Sequence, residues 1–551
     1  MKNKPLSTAL ILAGLVSSNT VFANDSTELE ELRGLVQELS QQVKVLARKG
    51  EIVEEETVAA KKTTPVVKAS EKGFGIESAD GKNSIKLGGL VQYDYRNFQQ
   101  GANDVRNRSD ARAGSLDAVT GFHDANDTWL ARRLRPNIQG TLFGIYDYRF
   151  QEEFAGGSAS VVDAYVDGRF NPAFKVRVGK YKPYVGLERL QGGADLKFVE
   201  RSYVSNNILP NRDQGISVYG DVLGDKLNYA IGFNNGVVDG GNASTSSEFD
   251  NDKEVTARLF ATPFKDDANA LSGLGFGIAA TYTDSTAEKN LNFTDTSAAD
   301  GTRNGLPTYV TNGQQTFFRY SSAAIADGKR FRVAPQAYYY NGPFGVIAEY
   351  ARVSQGVSLA SGGSPAAGGA GASTALSTAQ TTILAESNKK LNNDAWQIAA
   401  TYLITGEDSS FKGVKPKNDF DLDKGGWGAW EFALRYSEMN IDSDAFKNQA
   451  GQLAGQSTAD ATAAQLVGTS FSDPTFSAKK AKTWTAGVNW YLNSNAKIVL
   501  DYEQTSFDGG AGTGQAYNPG TGASNGFNAA TNQVKDREDE RALLARFQVA
   551  F

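Results

Sequence analysis

Apolar and polar positions alternate with a period of two over most of this chain, most plainly at its end. From Arg541 to Phe551, the positions Leu543, Ala545, Phe547, Val549 and Phe551 are apolar. The interleaved Ala542, Leu544, Arg546, Gln548 and Ala550 include the only polar residues after Arg541. This is the pattern of a strand with one apolar face and one mixed face. Left unpaired, such a strand would be an edge open to aggregation; paired with a strand near the start, it closes the sheet. Similar segments occur at Ser84–Arg96, Trp129–Thr141, Tyr146–Phe154, Val161–Phe170, Ala173–Lys182, Gln214–Val222, Lys226–Asn234 and Lys253–Pro263. They continue at Leu274–Thr283, Lys329–Tyr340, Phe344–Val353, Asp394–Ile404, Gly428–Met439, Lys482–Tyr491 and Ala496–Ser506. The expected fold is all-β: a transmembrane antiparallel β-barrel of about sixteen strands over residues 73–551, its apolar face turned to lipid.

The connections support this. Asn171-Pro172, Leu223–Asp225, Asn341–Pro343 and Leu492–Asn495 are tight turns. Between them lie long polar segments: Asn97–Thr128, Pro183–Asp213, Ser285–Gly328 and Ser354–Asn393. Short turns at one end and long loops at the other are the topology of an outer-membrane barrel. Thr405–Trp427 breaks the rule: it is a long, Lys- and Asp-rich connection on the short-turn side, expected to fold into the lumen. Tyr146, Tyr148, Trp396, Tyr402, Trp430, Tyr436, Trp484, Trp490 and Tyr502 fall on the outward faces, as a bilayer-interface girdle requires.

The start of the chain has a different period. Lys2 and Lys4, the apolar run Leu6–Val16 and Val21-Phe22-Ala23 read as a secretory signal over residues 1–23. Over residues 24–50, Leu29, Leu32, Val36, Leu39, Val43 and Leu46 form the a/d seam of a short α-helical coiled coil. Acids in its first turn and Arg48 and Lys49 in its last match the helix dipole. Self-association is the expected use of this seam; packing of one amphipathic helix on a neighbour or a membrane surface is the alternative. Residues 51–72 read as a flexible linker.

Composition narrows the function classes. The chain of 551 residues has no cysteine, which removes disulfides and thiolate metal sites, and its net charge of −6 gives no case for nucleic acid. Mean hydropathy of −0.39 is compatible with strands that alternate. No cofactor is expected. A hydrolase would need a catalytic base with a partner, and the lone histidine, His123, sits in the first long loop without one at a recognisable spacing.

Charge is segregated between the two strand faces. Inward positions carry Lys86, Arg96, Arg133, Arg135, Arg149, Arg169, Lys175, Arg177, Arg258, Arg330, Arg332, Arg435, Lys497 and Arg546. The acids there are Asp94, Asp147, Asp163, Asp167, Glu349, Glu431, Asp501 and Glu503. A basic surplus in an otherwise acidic chain favours anions in a narrow aqueous pore. Pairing of these cations with the lumenal acids is the competing reading. Arg132 and Arg133 are consecutive, so both can face the lumen only at the strand's mouth or through a bulge.

From about Phe74 to Phe551 the chain resembles the phosphate-selective porin O and P family. The likeness rests on Ala131-Arg132-Arg133, Val178–Tyr181 leading into Val185–Glu188, Tyr402–Glu407, Gly428–Glu431, Arg435-Tyr436-Ser437 and Gly487–Tyr491. It implies a trimeric sixteen-stranded porin in which an arginine ladder leads anions to a constriction of infolded loops. By motif, Arg132, Arg133 and Arg258 match ladder positions. The family's first strand would read Gly-Gly-Arg; this one reads Gly88-Gly89-Leu90, which extends the expectation from phosphate to other small anions. The expected anion pathway is Arg132, Arg133, Arg135, Arg258, Arg149, Arg177, Lys175, Arg332 and Arg435. The expected partners are outer-membrane lipid, phosphate or other small anions, two further copies in a homotrimer, and the cell wall through a periplasmic coiled coil. A general porin for small organic anions and a structural anchor are the alternatives.

Overall fold

The computed structural model describes residues 26–70, 73–99, 127–244, 251–286, 304–321, 324–359, 388–447, 470–472, 474, 477–510, 527–528, 533–534 and 536–551. The expected signal segment 1–23 and His123 lie outside these. The first unit is one helix, α1 (Ser26–Thr63). It passes through Gly50, where a stop is expected from the sequence, and takes up part of the expected linker 51–72; Val66–Ser70 is a strand. A mid-helix glycine costs only about 1 kcal/mol relative to alanine, and the Arg48–Glu51 ion pair at 2.9 Å bridges it. The helix ends just before Pro65, whose ring disfavours helical geometry in the residue ahead of it. Leu32, Leu39, Val43 and Leu46 on the a/d seam are all more than half exposed.

The second unit is a closed barrel. Its N-terminal hairpin is β1 (Val66–Ser70) and β2 (Gly73–Glu77). The first half of the wall is β3 (Ser84–Phe98), β4 (Thr128–Leu142), β5 (Tyr146–Glu153), β6 (Ser160–Asn171), β7 (Phe174–Tyr181), β8 (Asp213–Val222), β9 (Leu227–Asn234), β10 (Glu254–Ala261) and β11 (Leu274–Thr286). A small hairpin, β12 (Thr308–Val310) and β13 (Thr316–Arg319), follows. The wall resumes with β14 (Ala324–Asn341), β15 (Phe344–Leu359), β16 (Lys389–Leu403), β17 (Ala429–Asn440), β18 (Lys480–Tyr491) and β19 (Ala496–Asp508). After the two-residue strands β20 (Phe527–Asn528) and β21 (Gln533–Val534), β22 (Glu540–Ala550) completes it. Sixteen strands pair antiparallel in chain order, and β22 pairs β3 from Ala542↔Phe98 to Ala550↔Leu90. Each predicted segment is one of them, and the terminal strand closes the sheet as its exposed edge required.

The seam explains Gly88-Gly89. The Gly89 N–H donates to the Phe551 carbonyl at 2.9 Å, and the Phe551 N–H donates back at 3.0 Å. A Cβ on Gly88 would lie 2.6 Å from the Phe551 carbonyl oxygen and one on Gly89 2.7 Å from the end of the Phe551 ring, so the last residue packs closely over both glycines. Below this point β22 has ended, and β2 takes over the free edge of β3, from Phe74↔Leu87 to Glu77↔Ser84.

Alternation fixes which face is which. Ile231, Leu259, Ile278, Leu434, Leu500 and Phe547 are about half exposed, while their neighbours Ala230, Arg258, Ala279, Arg435, Asp501 and Arg546 are buried. The apolar set therefore faces out, toward lipid, and the polar set packs inside. Outward aromatics form two rows: Trp396–Tyr436–Trp484, with centroids 5.1 and 4.5 Å apart, and Trp430–Trp490 at 4.9 Å. Both β17 and β18 contribute to the two rows at positions six residues apart, about 20 Å along a strand. Two girdles flanking an apolar band are thus present. β14 and β15 run past their predicted ends toward the long loops, where Ala324, Ile325, Val357 and Leu359 are buried with Tyr309, Phe317 and Phe318.

Leu434→Arg, at the middle of the outward band, is expected to destabilise the barrel by about 2–4 kcal/mol in a bilayer. Urea unfolding in lipid vesicles, followed by tryptophan fluorescence, measures this; an unchanged midpoint would mean that this face does not meet lipid.

Candidate anion-binding cavity

The connection 182–212, between β7 and β8, folds inward and crosses the lumen. Its peptide groups are held by side chains of the far wall. The Leu187 and Glu188 N–H groups donate to the Glu349 carboxylate at 2.6 and 3.1 Å, and the Val199 N–H donates to Asp501 at 2.7 Å. Arg435 donates to the Glu200 carbonyl at 2.8 Å, and Asn489 to the Lys197 carbonyl at 2.9 Å. Arg546 reaches the Val199 carbonyl and Lys497 the Leu196 carbonyl. β15, β17, β18, β19 and β22 therefore grip a segment that begins and ends on the opposite side.

Other connections fill in around it. From the long-loop end, Thr311 donates to Glu540 at 2.8 Å, Asn312 to Glu503 at 3.1 Å, and the Gly313 carbonyl accepts from Arg96 at 3.2 Å. Arg332 holds the connection after β9 through Asp239 at 2.7 Å and the Val237 carbonyl at 2.8 Å. From the short-turn end, 404–428 enters the lumen as its sequence suggested. Ser409 meets the inward Thr401 at 3.3 Å, and the Phe411 carbonyl accepts from Gln191 of the crossing loop at 3.0 Å.

A cavity of about 740 Å³ stays open between this loop and the wall from β4 to β7. Arg132, Arg133, Arg135, Lys180, Arg189, Arg201 and Arg212 line it, against one lining carboxylate, Glu153. Glu153 takes up Arg135 at 2.6 Å, and Asp163, behind the lining, takes up Arg212 at 3.1 Å. Arg132 makes a two-point contact with Glu200 at 2.6 and 3.2 Å. The other four have no carboxylate within 4 Å among the described residues. Arg133 donates to Gln92, Lys180 to the Ala243 carbonyl at 2.7 Å, Arg189 to Asn211 at 2.8 Å, and Arg201 to the Gln191 carbonyl at 2.9 Å. The buried Nε atoms of Arg133 and Arg189 have no acceptor. Four cations facing only neutral oxygens leave their charge available to an anion.

Local backbone features place these side chains. The β3–β4 register steps from Gln92↔Arg133 to Tyr93↔Ala131, leaving Arg132 as the extra residue of a bulge. Of the two ways to turn both arginines inward, the bulge is the one used. Gly179, at φ +128°, precedes Lys180; a Cβ there would lie 2.2 Å from the Ala164 carbonyl oxygen, so only glycine fits. Leu90 lies under Gly193 of the loop, where an added Cβ would be 3.0 Å from it.

Glu200 is the keystone carboxylate. It accepts from Arg96 at 2.8 Å and from Arg132, and Arg96 also pairs with Asp94, which Arg546 grips at 2.7 Å. Burial resists its ionisation, but Arg132 and then Arg96 override this and hold its carboxyl well below the usual range. In the same loop, burial pushes the Lys182 ammonium and the Arg189 guanidinium down, with neighbouring Arg201 and Arg212 adding to both shifts. The loop thus carries cations pressed against one another.

Of the nine expected pathway residues, Arg132, Arg133 and Arg135 meet at this cavity and six do not. Arg149 pairs with Asp163 at 3.7 Å, Arg177 with Asp167 at 2.7 Å and Lys175 with Asp221 at 2.9 Å. Arg258 bonds only neutral groups, Gln336 and Asn228, both at 3.1 Å. Arg332 and Arg435 are fully buried in ion pairs with Glu254 and Glu503 behind the infolded loops. The inward surplus expected from the strands is largely neutralised: ten of the fourteen inward cations are ion-paired. Glu153, Asp213, Asp221, Glu254 and Glu540 are strand acids absent from the sequence reading. Arg189, Arg201 and Arg212, also absent from it, come from the loop.

The profile of the phosphate-selective porin O and P family matches residues 85–508. Porin O of Pseudomonas aeruginosa is 23% identical over 470 residues, which is 80% of this chain and 87% of that protein. Among solved structures, the outer membrane channel DcaP of Acinetobacter baumannii aligns over 87% of this chain and 99% of its own, at 13% identity and a TM-score of 0.44. The trimer form of OmpT, an outer membrane protein of Vibrio cholerae, aligns over 85% and 99%, at 10% identity and a TM-score of 0.41.

Glu200→Gln removes the charge that balances Arg132 and Arg96. It is expected to cost about 3–5 kcal/mol of stability, read as a lower temperature for loss of the compact band on a gel. It should also move the reversal potential in a KCl gradient toward the chloride limit; a move toward potassium would contradict this account of the cavity's charge.

Proposed function

The chain belongs to the phosphate-selective porin O and P family, and from that premise we propose that it is a passive, anion-selective outer-membrane pore with phosphate as its first substrate. The observation that carries this reading is the cavity in which Arg133, Lys180, Arg189 and Arg201 have no carboxylate within 4 Å among the described residues. At 4 Å from one such group and an effective dielectric of about 20, a unit negative charge gains about 4 kcal/mol. Phosphate offers the oxygens to accept from several guanidinium forks at once. Arg132 and Arg135 complete the lining, and Arg258 leads the anion along the wall below, where Asp163, Asp167 and Asp221 hold Arg149, Arg177 and Lys175. Arg332 and Arg435 act through the loops they hold. The sequence carries no nucleotide-binding motif, and movement down a gradient is the mode that fits the pore.

A broader preference, for small organic anions, is favoured by Leu90 and by a cavity much larger than one phosphate. The apolar stripe of α1 fits a second and a third copy, so the working unit is a homotrimer whose coiled coil lies in the periplasm within reach of the cell wall. Lipid meets the outward band.

Planar-bilayer conductance under a KCl gradient, with phosphate titrated in, tests the reading. The expected result is a chloride-directed reversal potential with current blocked by phosphate. In Arg133→Gln combined with Lys180→Gln, the half-blocking concentration should rise about tenfold for each charge removed, about 1.4 kcal/mol apiece. Chloride selectivity without block would point to the general anion porin. Cation selectivity would overturn the proposal, and a silent bilayer would leave the structural anchor.

A further inference from the structure

Below the arginine cavity, the lumen changes character. Inward positions near the short turns carry rings. Tyr165 and Tyr219, with Tyr184 from the start of the crossing loop, surround Arg177, whose guanidinium lies 4.0 Å from the Tyr165 centroid and 5.5 Å from those of Tyr184 and Tyr219. Across from them, Arg258 lies 4.6 Å from the Phe260 ring; Phe260 meets Tyr338 at 5.2 Å, and Tyr338 stacks on Phe411 at 5.8 Å. Tyr184 and Tyr338 both lie within electrostatic reach of Arg258. Except for Phe260, these rings are only half-buried.

The two arginines differ in what they can offer. Arg177 is spent: Asp167 takes its fork at two points, both 2.7 Å. It contributes a flat guanidinium on which rings stack. Arg258 has no carboxylate within 4 Å among the described residues, and the nearby Glu349 is occupied by the Leu187 and Glu188 N–H groups. Arg258 beside half-buried rings, among which Tyr184 and Tyr219 already pack at 4.9 Å, suits a ligand that is itself a ring bearing a negative charge. A bare inorganic anion would find the charge and make no use of the rings.

We infer that the short-turn half of the lumen is a subsite for the ring of an aryl anion, so that single-ring phosphates and carboxylates are the pore's preferred organic substrates. The anionic group passes from the arginine cavity to Arg258 while the ring stacks among Tyr184, Tyr219 and Tyr338, an arrangement of offset and edge contacts that aromatic quadrupoles favour. This rests on the anion-pore reading.

The test compares phenyl phosphate with methyl phosphate, which share a charged head and differ in the ring, as blockers of chloride current through the full-length protein in planar bilayers. Phenyl phosphate is expected to half-block at about tenfold lower concentration. In Tyr184→Leu with Tyr219→Leu, and separately in Tyr338→Leu, that ratio should fall toward one. Equal block by the two esters in the unaltered protein, or an advantage that survives both sets of substitutions, would overturn the inference and leave the anion pore standing. Absence of block by either ester, together with cation selectivity, would instead bring down the reading on which it rests.

Discussion

A peptide segment that crosses the inside of a barrel must find partners for its N–H and C=O groups on the facing wall, because neither its own sheet nor bulk water supplies them. The connection 182–212 meets this constraint with side chains rather than a ladder. Glu349 and Asp501 accept from its N–H groups, while Arg435, Asn489, Lys497 and Arg546 donate to its carbonyls. These wall residues are charged or amide-bearing because a backbone without regular structure offers isolated donors and acceptors of both kinds. The fully buried arginines Arg332, Arg435 and Arg546, which rank among the largest side chains of the interior, are therefore better understood as loop holders than as pore lining.

That constraint sorts the charges. The connection 182–212 contains five basic residues and three acids, a net charge of only +2. Once it lies across the lumen, Glu188 turns toward Ser202 and Arg435, and Glu200 toward Arg132 and Arg96. Arg189, Arg201 and Arg212 are left on the side that faces the cavity. The acids are consumed in anchoring, and of these three cations only Arg212 has a carboxylate within 4 Å among the described residues, Asp163. The field of the cavity is thus set by which wall the loop is tied to, and only secondarily by the charges on the strands.

The same sorting explains what could be read in advance. Strand number, closure and the lipid-facing set were legible because a period of two survives in sequence, and Arg541–Phe551 carries it to the last residue. The Arg132-Arg133 problem was visible too, since two consecutive residues cannot share a face without a bulge. The cavity was not. Arg189, Arg201 and Arg212 sit in a segment with no periodicity and a net charge of only +2, so neither pattern nor counting marks them. Their acids lie next to them in sequence, at Glu188, Glu200 and Asp213, and only the fold separates them. On the strands the wall is less basic than the inward set read from sequence suggests: Glu153 and Glu254 lie within the predicted segments but outside that set, and Glu540 lies one residue before the predicted start of the last strand.

The seam shows how closely closure and the functional half of the barrel are linked. β3 pairs with β22 on one edge only as far as Leu90, and it pairs with β4 on the other through the bulge at Arg132. Gln92, between these points, donates to both the Gly193 carbonyl and Gln548, and it accepts from Arg133. One strand therefore joins the chain's end, the crossing loop and the first arginine of the cavity. β22 pairs with β3 in a single register, which sets the height at which Asp94 meets Arg546 and Arg96. A shift of one residue would turn Arg546 toward lipid and strip Asp94 of its strongest partner. The charged chain from Arg546 through Asp94, Arg96 and Glu200 to Arg132 can exist only in this register.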